Sequence, residues 1–228
     1  MDQAVKPALL TETTNLVKGK VRFSIVSRAW EGETVLCVGG GPSVKREIVE
    51  SARGRCRVIT VNNSYELAPW ADAMYFADSQ WWRWHKDRPA YKSFPGPKIT
   101  IESTGQTVKP EEPGVHVLGN GGGSGFSDVP HMINTGSNSG FQVMNIAYLA
   151  GAKLILLLGY DMKFHGRLSH WHGDHPTKTP EVTYRNYAKR FASAVPQMNR
   201  AGVDVANCSP GSLIGNFRFS TVAAELGI

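Results

Sequence analysis

The sequence feature that most constrains the fold is a short apolar run that ends in three glycines. The apolar run covers residues 35–38, and the sequence Gly39-Gly40-Gly41-Pro42-Ser43 follows it directly. Four to six apolar residues before a glycine turn predict a buried strand of a parallel sheet. The next residues predict a helix, for which Ser43 is the expected N-cap and Glu47 the expected acid of the first turn.

The glycine stretch has two interpretations. Glycines let a backbone approach a ligand closely, and the N–H groups at a helix start attract an anion. Phosphate is then the expected ligand of Gly39, Gly40, Gly41 and Ser43. The alternative is a tight strand-to-helix turn that binds nothing. The stretch matches neither Gly-x-Gly-x-x-Gly nor the Walker pattern, so it supports neither of those cofactor classes.

Further apolar runs repeat the order of strand and helix along the chain. Predicted strands cover residues 33–38, 57–61, 71–77, 98–101, 115–118, 153–158 and 203–206, and predicted helices cover residues 44–53, 79–86, 141–150 and 181–200. This alternation predicts parallel βαβ units, and we expect a single Rossmann-like three-layer α/β domain with a mostly parallel sheet over residues 31–228. Residues 1–30 show no strong period, and we expect them to form a peripheral arm.

Length, charge and cysteine content exclude several classes of protein. A chain of 228 residues is long enough for one full core. It contains no run of eighteen apolar residues and no signal pattern, so we expect a cytoplasmic protein without a membrane span. Three scattered cysteines predict neither disulfides nor a zinc site. The net charge of +6 indicates a phosphorylated or polyanionic partner, and the oligomeric state stays open.

Polar residues follow several predicted strands, at the point where each strand ends. Besides the glycines, these residues are Asn62, Asp78, Asp161 and Asn207. In an open parallel sheet the ligand crevice lies outside the carboxyl ends of the strands, so we expect these residues to line one small-molecule site. Each of them could instead be an ordinary turn or cap residue, because Asn and Asp favour turns.

A second polar cluster precedes the predicted helix at residues 141–150. Its candidate binding residues are Asn138, Ser139 and Gly140, with Asn134, Thr135 and Ser137 just before them. Hydroxyl and amide groups at a helix start can hold a phosphate or a ribose. A plain N-cap needs only one such residue, so the surplus favours a binding role.

Three of the histidines lie in the segment His170-Trp171-His172-Gly173-Asp174-His175. This spacing resembles the metal motif of metallo-β-lactamase-type hydrolases, in which zinc ions activate a water. That architecture needs a further histidine downstream, and none follows His175, so a zinc hydrolase is the less favoured alternative. Any metal here would be held by His170, His172, Asp174 and His175. The other role is acid–base chemistry, because a histidine titrates near neutral pH.

Several of these motifs resemble those of one known family. The segment from Val38 to Ser43 resembles the Gly-Asn-Gly-Pro-Ser loop of the bacterial sialyltransferases typified by the Campylobacter lipooligosaccharide enzymes. Asn62 matches the Asn after that family's second strand. The helix that starts at Asn138-Ser139-Gly140 and the strand that ends in Gly159-Tyr160-Asp161 are similar to further family segments, as is the closing stretch at residues 208–214.

The resemblance implies group transfer, glycosyl above all, from a nucleotide-activated donor to a hydroxyl acceptor. It implies that Gly41, Ser43, Asn62, Ser139 and Gly140 hold the donor. It also implies a histidine base after the Gly-x-Asp strand, for which His172 and His175 are the candidates, with Asp161 orienting the loop or the histidine. The sequence differs from the family at Gly40, where the family has Asn, and the family's paired tyrosines are not evident.

The same skeleton resembles archaeal pterin pyrophosphokinase-like proteins and small phage-encoded proteins. The first resemblance implies diphosphoryl transfer from ATP to a small alcohol, with Mg²⁺ held by carboxylates such as Asp78 and Asp161. The segments Gly159-Tyr160-Asp161-Met162 and 170–176 are most like the phage group. A phage origin implies the host cytoplasm and a modified base in DNA as the acceptor.

A third alternative is a module that binds nucleotides or nucleic acid without catalysis. The segment Trp81-Trp82-Arg83-Trp84-His85-Lys86 interleaves aromatic and basic residues, as stacking on single-stranded bases requires. The commoner explanation is a helix that buries its tryptophans against the sheet, since large aromatic residues fill cores.

Overall fold

A computed structural model of the protein describes residues 7–18, 21–102, 112–173 and 179–228. Its centre is a nine-stranded sheet in which every neighbouring pair of strands is parallel. The strands are β3 (Thr34–Val38), β4 (Arg57–Val61), β5 (Ala73–Tyr75), β6 (Lys98–Ile101), β7 (Val115–Asn120), β8 (Met132–Ile133), β9 (Leu154–Leu158), β10 (Asp204–Asn207) and β11 (Arg218–Phe219). Their order is β11-β10-β9-β3-β4-β5-β6-β7-β8.

Helices cover both faces of this sheet. They are α1 (Arg46–Ser51), α2 (Ser79–His85), α3 (Pro89–Lys92), α4 (Ser139–Leu149), α5 (Glu181–Arg190), α6 (Val195–Ala201) and α7 (Val222–Leu226). Strand β3 shows why the strands read as continuous apolar runs. Val35 and Cys37 point into the core under α4, whereas Leu36 and Val38 point into the core under α1 and α2. The predicted three-layer α/β class is therefore confirmed.

The order of the strands reverses between β3 and β9. From β3 the chain moves outward through β4 to β8 on one side, and from β9 it moves outward through β11 on the other. The loops that follow β3 and β9 therefore diverge and open a crevice at the carboxyl ends of the strands. Gly159, with φ of +78°, turns the chain sharply at the end of β9.

The N-terminal region contains a hairpin that the sequence pattern did not predict. Strands β1 (Leu10–Lys18) and β2 (Val21–Val26) pair antiparallel. Phe23 and Ser24 of β2 are both buried, so the strand lacks the alternation that marks a half-exposed strand. Ser24 Oγ lies 3.0 Å from His116 Nδ1 of β7, a contact between distant parts of the chain. The division at residue 30 stays a prediction.

Two predicted helices differ from the observed ones. The single helix expected at residues 181–200 is divided into α5, a 3₁₀ turn at Phe191–Ala194, and α6. Pro196 lies in the first turn of α6, where its missing N–H is harmless, whereas inside one long helix it would break the hydrogen-bond ladder. Helix α1 begins only at Arg46, so Ser43 is not its N-cap. Within the described ranges, no helix is both long and apolar enough to span a membrane.

Candidate functional site

A cavity of about 410 Å³ lies at the crevice between the ends of β9, β3, β4 and β5. Most of the residues predicted for a binding site line it, namely Gly39, Gly40, Gly41, Asn62, Asp78, Asn138, Ser139, Gly140, Asp161, His170 and His172. These residues come from loops that are far apart in sequence and that share only the carboxyl edge of the sheet. The crevice rule for parallel sheets therefore explains their meeting.

Ser43 and Asn207 are not among the wall residues, and neither are Asn134 and Thr135 of the polar cluster before α4. Ser43 follows the glycine loop (residues 39–41), and its hydroxyl donates a hydrogen bond to Asp161. Asn207 organises the turn after β10, because its Nδ2 donates to the Ile214 carbonyl at 3.1 Å and its Oδ1 accepts from the Ser209 N–H at 3.1 Å. Asp174 and His175 lie outside the described residues.

The glycine loop packs against the end of β9. The Gly39 N–H donates to the Leu158 carbonyl at 2.7 Å, and the Gly41 N–H donates to the Gly159 carbonyl at 2.8 Å. A Cβ on either glycine would lie 2.6 Å from the Gly159 oxygen. These glycines are thus needed for close contact between two backbones, and phosphate binding by Gly39, Gly40 and Gly41 stays a prediction.

Asp161 holds the glycine loop in place from β9. Its Oδ2 accepts from the Ser43 hydroxyl at 2.7 Å, and its Oδ1 accepts from the Ser43 N–H at 3.2 Å. This bonding corrects the prediction of Ser43 as an N-cap, a position that Lys45 occupies without a side-chain bond. Burial raises the pKa of the Asp161 carboxyl, although the Ser43 hydrogen bonds and the charge of His165 act to lower it.

The histidine beside Asp161 is not one of the predicted bases. His165 Nε2 lies 3.2 Å from Asp161 Oδ1, and its side chain is 40% exposed. His165 does not belong to the cavity wall, whereas His170 and His172 do. Asp161 therefore contacts the loop that follows β9 through His165, and its role in orienting a histidine base stays a prediction.

Backbone strain is concentrated at the cavity. Among the described residues, three residues other than glycine have a left-handed backbone, namely Asn62 with φ of 49°, Ser137 with φ of 62° and Met162 with φ of 53°. All three line the cavity. Such conformations cost about 1–3 kcal/mol each and cluster at binding and catalytic sites.

Asn62 has a second unusual property. Its Oδ1 atom is buried and has no hydrogen-bond partner in the described part of the chain. A buried oxygen without a donor costs about 1–3 kcal/mol. A ligand group in the cavity that donates a hydrogen bond would remove this cost.

Two of the predicted binding residues serve as helix caps. Asn138 Oδ1 accepts from the Phe141 N–H at 2.9 Å, and its Nδ2 donates to the Gly136 carbonyl at 3.0 Å. Asp78 Oδ1 accepts from the Gln80 N–H at 2.7 Å and so caps α2. Both residues still line the cavity, but their cap hydrogen bonds already account for an Asn and an Asp at these positions. The first turn of α4 leaves the N–H groups of Ser139 and Gly140 without intrahelical partners.

The histidine loop, of which residues 165–173 are described, contacts the glycine loop. The Trp171 N–H donates to the Gly40 carbonyl at 3.1 Å, and the Trp171 indole donates to Ser64 Oγ at 3.2 Å. The rings of His170 and His172 stack with centroids 5.1 Å apart. His170 Nε2 also lies 3.3 Å from the hydroxyl of Tyr184 in α5.

The metal motif predicted at residues 170–175 is described only in part. No group of three or more His, Cys, Asp or Glu side chains in the described ranges is arranged to hold a metal ion. Within the predicted set, this statement covers His170 and His172. Asp174 and His175 are not described, so the metal motif itself stays a prediction.

The aromatic segment of α2 is mainly core. Trp81 and Trp82 are buried at 2% and 8% exposure, with His85 stacked on Trp81 at 4.1 Å. The alternative in which this row of tryptophans stacks on single-stranded bases is wrong for these two residues, because their rings pack inside the fold. Trp81 and Trp84 are both among the residues that line the cavity.

Several wall residues were missed by the sequence predictions. Asn63, Gln142, Tyr184 and Tyr187 all line the cavity. The two tyrosines lie three positions apart on α5, a spacing that places them on one side of a helix and that was available as a signal. Gln142 lies inside an apolar segment, and no local pattern marks it, whereas Asn63 directly follows Asn62 and shares its place after the predicted strand.

Comparisons with known proteins find structural similarity alone. No protein-family model matches the sequence, and no curated protein matches it significantly. A structure of the Campylobacter jejuni sialyltransferase CstII with cytidine-5'-monophosphate is 16% identical, with a TM-score of 0.49 over 83% of this chain and 85% of the other. A second CstII structure, with CMP-3FNeuAc, is 14% identical, with a TM-score of 0.45 over 82% and 84%.

Proposed function

We propose that the protein transfers a glycosyl group from a nucleotide-activated donor to a hydroxyl acceptor, with the donor bound in the cavity. The observation that carries this proposal is the strain at the cavity wall. Asn62, Ser137 and Met162 adopt costly backbone conformations there, and the buried Asn62 Oδ1 has no hydrogen-bond partner among the described residues. A fold retains such costs where a ligand uses the geometry they create. The sequence resemblance to sialyltransferases supplies the class of reaction.

The start of α4 is suited to the phosphate of the donor. Ser139 and Gly140 belong to the first turn of an eleven-residue helix, and both line the cavity. Their N–H groups and the helix dipole favour negative charge at this point. When the glycosyl bond breaks, charge develops on the departing nucleotide phosphate, and donors that are already in place stabilise it.

His172 is the proposed general base. The acceptor hydroxyl attacks the anomeric carbon of the donor, the bond to the nucleotide phosphate breaks, and His172 takes the hydroxyl proton. His172 lines the same cavity, beside His170. A neutral imidazole accepts a proton readily near pH 7.

Diphosphoryl transfer with Mg²⁺ fits these residues less well. Asp78 caps α2, and Asp161 accepts two hydrogen bonds from Ser43, so both carboxylates already have structural tasks.

The hydroxyl acceptor can be a small alcohol, a sugar or a modified base in DNA, and the identity of the acceptor stays a prediction.

The test is a screen of nucleotide sugars, in which release of the nucleotide is measured with and without Mg²⁺. We expect release with at least one of the CMP-, UDP- or GDP-sugars. His172→Gln should lower turnover by about 10²- to 10⁴-fold. The matched control is His131→Gln, because His131 lies on the turn before β8, away from the cavity. Equal turnover in the two variants would remove His172 from the mechanism, and failure of every nucleotide and nucleotide sugar to bind would overturn the function itself.

A further inference from the structure

One amide in the cavity has a fixed orientation. Gln142, in the second turn of α4, lines the cavity and is 5% exposed. Its Oε1 accepts a hydrogen bond of 2.8 Å from the hydroxyl of Tyr75, at the end of β5. Tyr75 is fully buried, and burial raises the pKa of its hydroxyl well above the ordinary value, so the hydroxyl keeps its proton and remains a donor. The amide oxygen is therefore held on the sheet side.

This orientation decides what Gln142 can offer to a ligand. Because the oxygen is held, the nitrogen Nε2 is the polar atom left for the cavity, and it can only donate. The hydrogen bond that Gln142 makes to Tyr75 uses Oε1 and not Nε2. An amide without such a bond could rotate and present either its oxygen or its nitrogen to a ligand. The hydrogen bond from Tyr75 therefore fixes which of the two atoms Gln142 presents.

Asn63, which lies just after β4, shows the same arrangement. Its Oδ1 accepts from the indole N–H of Trp81 at 2.7 Å, which leaves Nδ2 as the group that can face a ligand. Asn62 is the opposite case, because its oxygen is the atom that lacks a partner within the described ranges. The end of the cavity at β4 and β5 thus offers two fixed donors and one fixed acceptor, beside the ring of Trp84.

The three amides of Gln142, Asn63 and Asn62 lie where the base of the proposed nucleotide ligand would bind. Neighbouring strands lie about 4.8 Å apart, so the three steps from β9 to β5 span roughly 14 Å. A nucleotide-activated sugar is long enough to cover that span. The histidines and Lys163 follow β9, whereas the amides and tryptophans follow β4 and β5 or face them. Flat aromatic rings and fixed amides are the groups that recognise a base.

We propose that Gln142, held by Tyr75, determines which nucleobase the protein accepts, by donating a hydrogen bond to an acceptor on the edge of the base. This inference rests on the proposed function, since it assigns the base end of the nucleotide to the β4–β5 side of the cavity. Tyr75 acts as a positioning residue. The occupant places a ring nitrogen or a carbonyl oxygen opposite Gln142 and a donor opposite Asn62.

The experiment measures the affinity of CMP, UMP, AMP and GMP for four proteins by calorimetry. These are the wild type, Gln142→Glu, Tyr75→Phe and the control Tyr148→Phe. The Tyr148 hydroxyl bonds Asp128 at 2.6 Å, on the far part of α4 and outside the cavity wall. Gln142→Glu keeps an oxygen for Tyr75 but loses the donor, and Tyr75→Phe keeps the donor but frees the amide to rotate.

We expect Gln142→Glu to weaken the best wild-type nucleotide by about 10-fold or more relative to the others, because an acceptor would face an acceptor. Tyr75→Phe should narrow the ratio between the best and second-best nucleotide, and Tyr148→Phe should change no ratio. If both test variants bind the nucleotides but shift all four affinities by one factor, Gln142 is merely structural and this inference is overturned. If the wild type binds none of the nucleotides and no nucleotide sugar, the proposed function fails, and the inference fails with it.

Discussion

Replacing Asn62 by Gly should weaken nucleotide binding without weakening the fold. Most substitutions of a partly buried residue lower stability by about 1 kcal/mol. Asn62 is an exception because it combines a left-handed backbone, with φ of 49°, and a buried Oδ1 that has no partner in the part of the chain that the structure describes. Glycine adopts that backbone without steric cost and has no oxygen to bury.

The magnitude follows from three terms. A left-handed conformation costs a residue with a side chain about 1–2 kcal/mol, and Asn lies at the lower end because it tolerates this region. The unpartnered oxygen costs about 1–3 kcal/mol. Glycine loses about 0.5–1 kcal/mol through the greater freedom of the unfolded chain. With the lower values for the gains, the free energy of unfolding should rise by about 1 kcal/mol, which is about 2–4 °C in Tm for a chain of this size.

The assay combines denaturant unfolding without ligand and calorimetric titration with the nucleotide that binds best. The Asn62→Gly protein should unfold at equal or higher denaturant concentration, while its Kd rises by about 10-fold or more. Asn63→Ala is the matched control, because Asn63 is buried and its oxygen accepts from Trp81. That variant should lose about 1–3 kcal/mol, since the Trp81 N–H is left unpaired. A loss of stability in Asn62→Gly together with unchanged affinity would refute the reasoning.

Two further predictions concern the contact between the glycine loop and β9. Gly41→Ala should lower the free energy of unfolding by about 1–3 kcal/mol, because its Cβ would overlap the Asp161 carboxylate, whereas Gly215→Ala, which has open space around it, should change little by the same denaturant measurement. Asp161 should make the fold less stable as pH rises past its ordinary pKa of 3.8, because the folded state holds this proton more tightly than the unfolded state does. The check compares the pH dependence of unfolding in two proteins, the parent His165→Gln and the double variant that also carries Asp161→Asn. His165→Gln removes the charge that faces Asp161. The parent should lose stability relative to Asp161→Asn with rising pH, and parallel curves would contradict the assigned pKa shift.

The polar residues at strand ends were within reach of the sequence. Asn62 and Asp161 each follow an apolar run, and parallel strands bring such positions to one edge. The roles of individual atoms were out of reach. Ser43 lies at a position that suits an N-cap, yet its hydroxyl bonds Asp161, which is 118 positions away in the chain. Local preference for a cap was overridden by a partner that only the folded sheet provides.

The apolar runs and the glycines between them are enough to predict the class of fold and the edge at which a ligand would bind. Both depend on local patterns, because a strand buried on two faces must be apolar and a chain must turn where it leaves the sheet. The pairing of distant groups was decided by tertiary structure alone. The hydrogen bond from Tyr75 to Gln142 forms because β5 and α4 meet in space, and the Asn62 oxygen is buried there without a partner among the described residues. A hydrogen bond depends on distances of a few ångströms, and spacing along the sequence does not contain those distances.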